Sequence, residues 1–138
     1  MKELVIDALT ENLPQVLGFV DEQLEAAQCP VKIQMQIDIA VEEIFVNIAH
    51  YAYEQEVGTA AVRVEVTNEP PAVQITFIDQ GIPYDPLAKA DPDVTLSIEE
   101  RQIGGLGIFM VKKTMDDVEY KYLDGHNVLT LKKGLVSK

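Results

Sequence analysis

Residues 31–51 read VKIQMQIDIAVEEIFVNIAHY, and their apolar side chains recur at helical spacing. Aliphatic residues fall three or four positions apart along one face of an α-helix, and they are Ile33, Ile37, Val41, Ile44 and Ile48. Acidic and amide side chains interrupt the stretch, which is therefore too polar for a membrane span. The pattern predicts a long amphipathic helix whose apolar face packs on a core.

The segments on either side of this helix follow patterns of their own. Amphipathic spacing predicts two further helices, over residues 11–27 and 106–115. Alternating apolar and polar side chains, bounded by turn-forming residues, predict strands over residues 2–8, 61–67, 73–79, 118–123 and 127–132. The last two strands form a hairpin that turns at Asp124-Gly125. This order predicts a two-layer α+β fold in which three helices lie on one face of a mixed, mostly antiparallel sheet.

Length and composition set limits on the class of protein. At 138 residues the chain fits a single domain, residues 1–138, with a core that needs no disulfide support. Cys29 is the only cysteine, which excludes a disulfide framework or a cysteine-based metal site. The formal net charge of −12 argues against a nucleic-acid partner, since phosphate backbones need clustered basic residues. No stretch resembles a signal peptide, so the expected location is the cytoplasm, away from membranes.

Glu43 and Asn47, four residues apart in the long helix, form the first candidate site. Positions i and i+4 share a helix face, so the carboxylate and the amide project side by side. A carboxylate beside an amide can supply a general base and a Mg²⁺ ligand. The alternative is a polar edge of an amphipathic helix that has no chemical role.

Asp79 ends a predicted strand and is followed by the loop residues 80–83, Gln-Gly-Ile-Pro. A carboxylate at a strand end can point into a pocket while Gly81 lets the backbone turn away. Such a carboxylate can accept a hydrogen bond from an exocyclic amine, such as that of adenine. An ordinary strand-to-turn transition explains the same residues, because Asp and Gly are frequent in turns. Both interpretations stay open on these residues alone.

A glycine cluster, Gly104-Gly105-Leu106-Gly107, leads into the third predicted helix. Glycines let a backbone approach an anion, and a helix N-terminus favours negative charge there. The cluster is not a Walker loop, because no Gly-Lys-Ser/Thr follows, and it lacks the preceding strand of a dinucleotide fingerprint. Residues 80–104 show no convincing periodicity and contain three prolines, which is typical of a functional or disordered loop.

The three motifs in this order resemble the N, G1 and G2 boxes of the GHKL (histidine-kinase-like) superfamily of ATPases. The resemblance spans residues 11–132 and implies a Bergerat-type sandwich with residues 80–104 as the ATP lid. Within the superfamily, the chain looks most similar to the anti-sigma-factor serine-protein kinases. That similarity rests on further short matches, at Tyr53, Asp85-Pro86, Glu100-Arg101, residues 115–118 and residues 128–131.

The resemblance also implies roles for individual residues. Glu43 would be the base that activates the attacking hydroxyl, and Asn47 would bind Mg²⁺ between the phosphates of ATP. Asp79 would bind the adenine amine with support from Thr130, and Gly81 would keep the adenine pocket open. The phosphates would meet the lid at Gly104, Gly105, Leu106 and Gly107.

Arg101 is one further candidate residue, and a few positions depart from the family pattern. Arg101 is a candidate contact of the γ-phosphate, and a solvated charge on the lid is the equal alternative. Pro83 stands where many relatives have a second glycine in the G1 box, which would stiffen the hinge of the lid. Tyr51 stands where close relatives carry a histidine. His50, displaced by one position, is expected at the helix surface without a catalytic role.

The implied function is phosphorylation of a STAS-type anti-anti-sigma protein, together with binding of a sigma factor. One alternative is a non-catalytic module in which ATP orders the lid and gates a protein interface. Glu43 argues against that module, since a pure switch needs no base. A histidine-kinase fragment fits poorly, because His50 and His126 are expected at a helix end and a turn. A structural domain without nucleotide is the remaining alternative, and a homodimer is compatible with an exposed edge of the first strand.

Overall fold

The computed structural model describes residues 1–53, 57–83, 85–88 and 105–136. Its helices are α1 (Leu13–Ala26), α2 (Val31–Tyr51) and α3 (Gly105–Thr114). Its strands are β1 (Lys2–Asp7), β2 (Thr59–Asn68), β3 (Pro71–Asp79), β4 (Asp117–Leu123) and β5 (His126–Gly134). Every predicted helix and strand is present, in the predicted order and close to its expected bounds.

The five strands form one sheet in the order β1-β2-β3-β5-β4. All four neighbouring pairs are antiparallel. The sheet was predicted to be mixed and mostly antiparallel, and the described strands are antiparallel throughout. The β4–β5 hairpin joins the sheet with β5 inward, beside β3. Asp79 at the end of β3 therefore lies opposite Asn127 near the start of β5.

The core lies between the sheet and the three helices. Alternate residues of the strands point to the helices and are buried, as in the β3 series Val73, Ile75 and Phe77. α2 packs in the middle of the helical layer and contacts both α1 and α3. Complete burial of one large apolar side chain stabilises a fold by about 1.5–3 kcal/mol. The predicted two-layer arrangement, with the helices on one face, is confirmed.

The two long helices begin close to their predicted positions. Thr10–Asn12 form a short 3₁₀ turn, so α1 begins at Leu13, slightly later than the sequence pattern predicts. α2 covers the predicted range and follows Pro30, whose fixed backbone angle suits the entry to a helix. Among the described residues, no helix is both long and apolar enough to cross a membrane.

Two tight turns set the register of the strands. Asp124 and Gly125 have φ angles of 52° and 79°, the left-handed conformation that a two-residue hairpin loop favours. The predicted turn between β4 and β5 is therefore confirmed. Pairing of β2 with β3 extends to Asn68 and Pro71, so both strands are longer than predicted. Pro71 is tolerated there because the first residue of a strand need not donate to the ladder.

Two carboxyl groups face each other between α1 and α2. One oxygen of Asp21 and one of Asp38 are buried and have no hydrogen-bond donor among the described residues. Burial raises the pKa of Asp38 to about 7, and a hydrogen bond to Asp21 and the charges of Asp21 and Glu25 add to the rise. Below neutral pH the pair therefore shares a proton, and that proton supplies the missing donor.

We expect Asp38→Asn to change how stability depends on pH. Because the pKa of Asp38 is raised in the native state, the folded protein keeps a proton that the unfolded chain loses above pH ~4. Wild-type stability therefore falls between pH ~4 and about 7, and is level above that range. The variant lacks this fall. The difference in free energy of unfolding, variant minus wild type, should therefore be about 1–2 kcal/mol larger at pH ~8 than at pH ~5.

Urea unfolding of both proteins at the two pH values measures this gain. Glu22→Gln, which removes an exposed carboxylate from α1, is the control for the loss of one negative charge. An equal gain in the control, or no gain in Asp38→Asn, would contradict a proton shared by Asp21 and Asp38.

Candidate functional site

Glu43 and Asn47 lie one turn apart on α2, on the side that faces α3. Nδ2 of Asn47 donates a hydrogen bond to Oε1 of Glu43 over 3.3 Å, and both residues are half-buried. The contact confirms the predicted side-by-side placement of the two groups. Because Asn47 uses its nitrogen for this bond, its amide oxygen is available as a cation ligand.

The first turn of α3 rests on Glu43. A Cβ atom built on Gly107 would lie 2.2 Å from the carboxyl carbon of Glu43, far inside van der Waals contact. A glycine at this position is therefore what allows the helix to approach the carboxylate so closely. A helix N-terminus favours negative charge, so the same turn can also receive a phosphate.

The predicted lid and glycine cluster are described in part. The first turn of α3 contains Gly105, Leu106 and Gly107. Arg101 and Gly104 lie outside the described residues. Of residues 80–104 the structure describes 80–83 and 85–88, and the latter include a short 3₁₀ helix. The roles of Arg101 and Gly104 stay predictions.

Asp79 is the last residue of β3 and is 5% exposed. Its Oδ1 accepts two hydrogen bonds of 2.9 Å, one from the backbone N–H of Gly81 and one from Nδ2 of Asn127. Hydrogen bonds to a buried carboxylate are strong, and two donors on one oxygen fix its orientation. The other oxygen, Oδ2, is then the one that a ligand in the adjoining pocket would reach.

Asn127 and Tyr120 complete this network, and neither was identified from the sequence. Nδ2 of Asn127 also donates to the carbonyl oxygen of Ile82 over 2.8 Å, and the Tyr120 hydroxyl donates to Oδ1 of Asn127. Asn127 therefore joins β4 and β5 to the loop after β3. The sequence held a signal for it, because Asn127 interrupts an inward-facing series that continues with Leu129 and Leu131.

Thr130 does not take part in this network, contrary to its predicted support of Asp79. Successive residues of a strand point to opposite faces, and Asn127 and Leu129 occupy the face toward the helices. Thr130 points to the other face of the sheet, opposite Thr76. Asn127, directly across from Asp79, supplies the contact from the last strand that was expected of Thr130.

Tyr53 holds the backbone beside Asp79 against the end of α2. Its hydroxyl donates to the carbonyl oxygen of Thr59 over 2.7 Å and accepts the backbone N–H of Gln80 over 2.9 Å. Burial raises the pKa of this hydroxyl; the Gln80 hydrogen bond opposes the rise, and the charge of Asp79 adds to it. The hydroxyl therefore stays protonated at neutral pH and acts as an anchor between two loops.

Gly81 lies where two backbone segments approach closely. A Cβ atom on Gly81 would lie 2.2 Å from the carbonyl oxygen of Ala52. The next residue, Ile82, donates its N–H to that same oxygen over 2.9 Å. A glycine is needed here because the loop after Asp79 lies directly on the C-terminal end of α2.

A pocket lies between α2 and the sheet. Apolar side chains form most of its wall, and they include Ile44, Ile48, Ala52, Phe77 and Leu129. Its polar lining residues are Asn47, Asp79, Tyr120 and Asn127. Apolar walls with one oriented, buried acceptor match the chemistry of a purine ring that carries an exocyclic amine, and the cavity, at about 30 Å³, has to widen to admit the ring. The pocket thus brings two of the predicted motifs together, the one on α2 and the one at the end of β3.

The amide oxygen of Asn47 can bind Mg²⁺ as one ligand among several. In the part of the chain that the structure describes, no three His, Cys, Asp or Glu side chains cluster to hold a metal ion. A Mg²⁺ ion bound by the amide oxygen of Asn47 could take its other ligands from phosphates and water, as Mg²⁺ commonly does in nucleotide sites.

This fold and this site define the class of the protein. A family model described as histidine kinase-like ATPase domain matches residues 6–133, almost the whole chain. The chain belongs to this family. The resemblance inferred from the three motifs is therefore confirmed.

Its curated relatives include serine-protein kinases. The serine-protein kinase RsbW of Bacillus cereus strain AH187 is 29% identical over 98 residues, which are 68% of this chain and 60% of the relative. The RsbW of Bacillus anthracis strain A0248 matches with the same identity and coverage. The chain thus aligns with 60% of the length of these relatives.

Solved structures agree with the fold. The RsbU and RsbW domains of a Mycobacterium tuberculosis protein match with a TM-score of 0.67 at 17% identity, covering 100% of this chain and 34% of that chain. The SiaB–SiaC complex from Pseudomonas aeruginosa contains a chain that matches with a TM-score of 0.57 at 17% identity, covering 94% of this chain and 88% of that chain. At such identities the likeness establishes the fold.

We expect Asn127→Ala to weaken ATP binding about 10–100-fold, because a hydrogen bond to a charged group contributes ~1.5–3 kcal/mol. The loss follows from the freed carboxylate of Asp79, which no longer presents Oδ2 in one orientation. Isothermal titration of folded protein with ATP measures the affinity. Thr130→Val is the matched control on the other face of the same strand, and its affinity should stay within about twofold of wild type. Equal losses in the two variants would contradict the assignment of Asn127.

Proposed function

We propose that the chain is an ATP-dependent serine-protein kinase and anti-sigma factor. It transfers the γ-phosphoryl group of ATP to a serine of a STAS-type anti-anti-sigma protein, and it binds a sigma factor. The observation that carries the proposal is the joint placement of Glu43, Asn47 and Gly107 beside a pocket that ends at Asp79. The relatives named serine-protein kinase RsbW and the neighbour solved as a SiaB–SiaC complex support it.

The orientation of ATP follows from the spacing of these groups. Adenine lies between the apolar walls, which move apart to admit it, with its amine donating to Oδ2 of Asp79. The phosphates then extend along α2 towards Asn47 and the first turn of α3. Mg²⁺ on the Asn47 amide oxygen would neutralise charge on the phosphates, which is its usual contribution to phosphoryl transfer.

Glu43 is placed to act as the general base. Its carboxylate lies one helical turn from Asn47, whose hydrogen bond orients it. It accepts the proton of the acceptor serine while the serine oxygen bonds to the γ-phosphorus. The bond from that phosphorus to the bridging oxygen breaks, and ADP leaves. A positioned general base contributes roughly 10²–10⁴ in rate.

The lid and the larger context complete the proposal. The resemblance to the family assigns Arg101 to the γ-phosphate and Gly104, Gly105, Leu106 and Gly107 to the phosphates, and the proposal keeps these roles. Residues 1–138 form one ATP-binding domain in this proposal, and the proposed location is the cytoplasm. β1 is an edge strand of the described sheet, and two copies can pair through its outer side.

ATP with Mg²⁺ should raise the unfolding temperature of the purified protein. A ligand at a hundred times its dissociation constant adds roughly 2.7 kcal/mol to the free energy of unfolding. Asp79→Asn should lose the shift. The amide has only one oxygen, so its nitrogen replaces the acceptor that faces either the adenine amine or Nδ2 of Asn127. Thermal scans with ATP, with and without Mg²⁺, measure the effect. The absence of a shift at millimolar ATP in the wild type would refute a nucleotide site.

Glu43→Gln should bind ATP normally and lose phosphotransfer by roughly 10²–10⁴, because the amide keeps the shape of the side chain and cannot accept the proton. Single-turnover transfer of labelled γ-phosphate to purified STAS-domain proteins from the same genome measures the step. The exposed Glu22→Gln on α1 is the control and should transfer at the wild-type rate.

Two outcomes would contradict this role of Glu43. Wild-type transfer by Glu43→Gln would assign the base elsewhere. ATP-dependent binding of a STAS-domain protein, with no transfer even by the wild type, would show instead a non-catalytic module gated by ATP.

A further inference from the structure

Three large apolar side chains form an exposed ridge on α2. Val31, Met35 and Ile39 follow one another at four-residue spacing and are 74%, 60% and 57% exposed. The core-facing residues of α2 lie on a different side of the helix, so the ridge contributes little to the core. Because each four-residue step turns by about 40° around the axis, the row winds across the surface. Its next two positions are Glu43 and Asn47.

A groove between α2 and α3 continues the ridge up to Glu43. The groove has a volume of about 360 Å³ and is lined by Ile39, Glu42, Glu43, Val46, Gly107 and Met110. Met110 on α3 is 44% exposed and forms the wall opposite Ile39. The groove is therefore open to solvent, largely apolar, and ends at the carboxylate of the proposed base.

The nucleotide pocket and the groove meet on the helix turn from Glu43 to Asn47 and extend from it in opposite directions along α2. The α2 lining of the pocket runs on from Ile44 to Ala52, whereas that of the groove runs back from Val46 to Ile39. In phosphoryl transfer the attacking and leaving oxygens lie roughly in line, on opposite sides of the phosphorus. If ADP leaves toward the pocket, the acceptor hydroxyl has to arrive from the groove.

We propose that this ridge and groove form the docking surface for the protein substrate, and that they take a segment in which apolar side chains flank the acceptor hydroxyl. The inference rests on the proposed function and adds to it the part of the surface that selects the substrate. Met35 and Met110 are flexible, polarisable side chains that adapt to a partner's shape. Glu42 is exposed at the rim, which favours a basic side chain next to the apolar ones.

A second copy of the same chain fits the groove less well than a substrate does. Each copy carries a formal net charge of −12, and a strongly acidic surface is a poor match for a groove that contains Glu42 and Glu43. A copy seated in the groove would also cover the side of Glu43 from which the acceptor arrives. The geometry therefore favours a different protein as the occupant.

The test uses the double variant Met35→Gln/Ile39→Gln, which keeps helix-compatible side chains of similar length and removes the apolar ridge. The matched control is Val136→Gln, which changes a 58% exposed residue after the end of β5. The substrate is the purified STAS-domain protein that the wild type phosphorylates, drawn from the same genome. We expect the KM for this protein to rise at least tenfold, with kcat and the thermal shift by ATP unchanged. The control should stay within twofold of wild type on all three.

Each other outcome decides against one specific claim. A KM within twofold of wild type in the double variant overturns the docking surface while leaving the kinase function intact. If that variant is also monomeric where the wild type sediments as a dimer, the ridge is an interface between copies. Loss of the ATP shift shows that the ridge acts on the nucleotide pocket, which also overturns docking.

The outcomes also separate this inference from the proposed function. If the wild type binds a STAS-domain protein without phosphorylating it, the kinase function fails, and a tenfold weaker Kd in the double variant still supports the docking surface. If the wild type neither binds nor phosphorylates any STAS-domain protein of the genome, both proposals are overturned.

Discussion

A carboxylate buried at the end of a strand has to be hydrogen-bonded, because an ionised group without partners is very costly in a protein interior. Asp79 meets this requirement with the N–H of Gly81 and the amide of Asn127. The first donor requires the loop to turn back on Ala52, where only a glycine fits. The second requires β5 to lie beside β3 with Asn127 across from Asp79. The two hydrogen bonds that stabilise the buried charge of Asp79 thus depend on the loop, the strand order and the register.

α2 arranges the rest of the site along a single axis. Its C-terminal end supports the loop after Asp79, its middle presents Asn47 and Glu43, and its N-terminal half carries the exposed ridge. The same helix is buried on its other side throughout, so these groups cannot move independently of the core. In an α+β sandwich of this size, one rigid helix therefore sets the distances between the loop after Asp79, the Glu43–Asn47 pair and the exposed ridge.

Local patterns made the helices and the first motif predictable. The bounds of α2 follow from apolar residues a few positions apart and from Pro30, and both signals lie within the helix or next to it. Glu43 and Asn47 needed only the geometry of a helix turn to be placed together. The strands were predictable for the same reason, since alternation and the Asp124-Gly125 turn are local features.

The order of the strands and their pairing register were not encoded locally, and the Thr130 error follows from the register. Which strand lies beside β3 depends on how the β4–β5 hairpin is inserted, and neither strand's own sequence determines this. Thr130 and Asn127 are separated by an odd number of positions, so assigning the wrong one moved the expected contact to the wrong face of the sheet. Tyr120 was missed because its partner was missed. The pairing of Asp21 with Asp38 likewise depends on how two helices pack.

The position of β5 has a consequence for the order in which the protein is made. This strand lies inside the sheet, between β3 and β4, although it is translated after the other four described strands. A nascent chain that has emerged through α3 therefore has an unpaired edge on β3 and an exposed Asp79, and such edges are prone to association. Until the β4–β5 hairpin has emerged, the pocket lacks Tyr120, Asn127 and Leu129 from its lining.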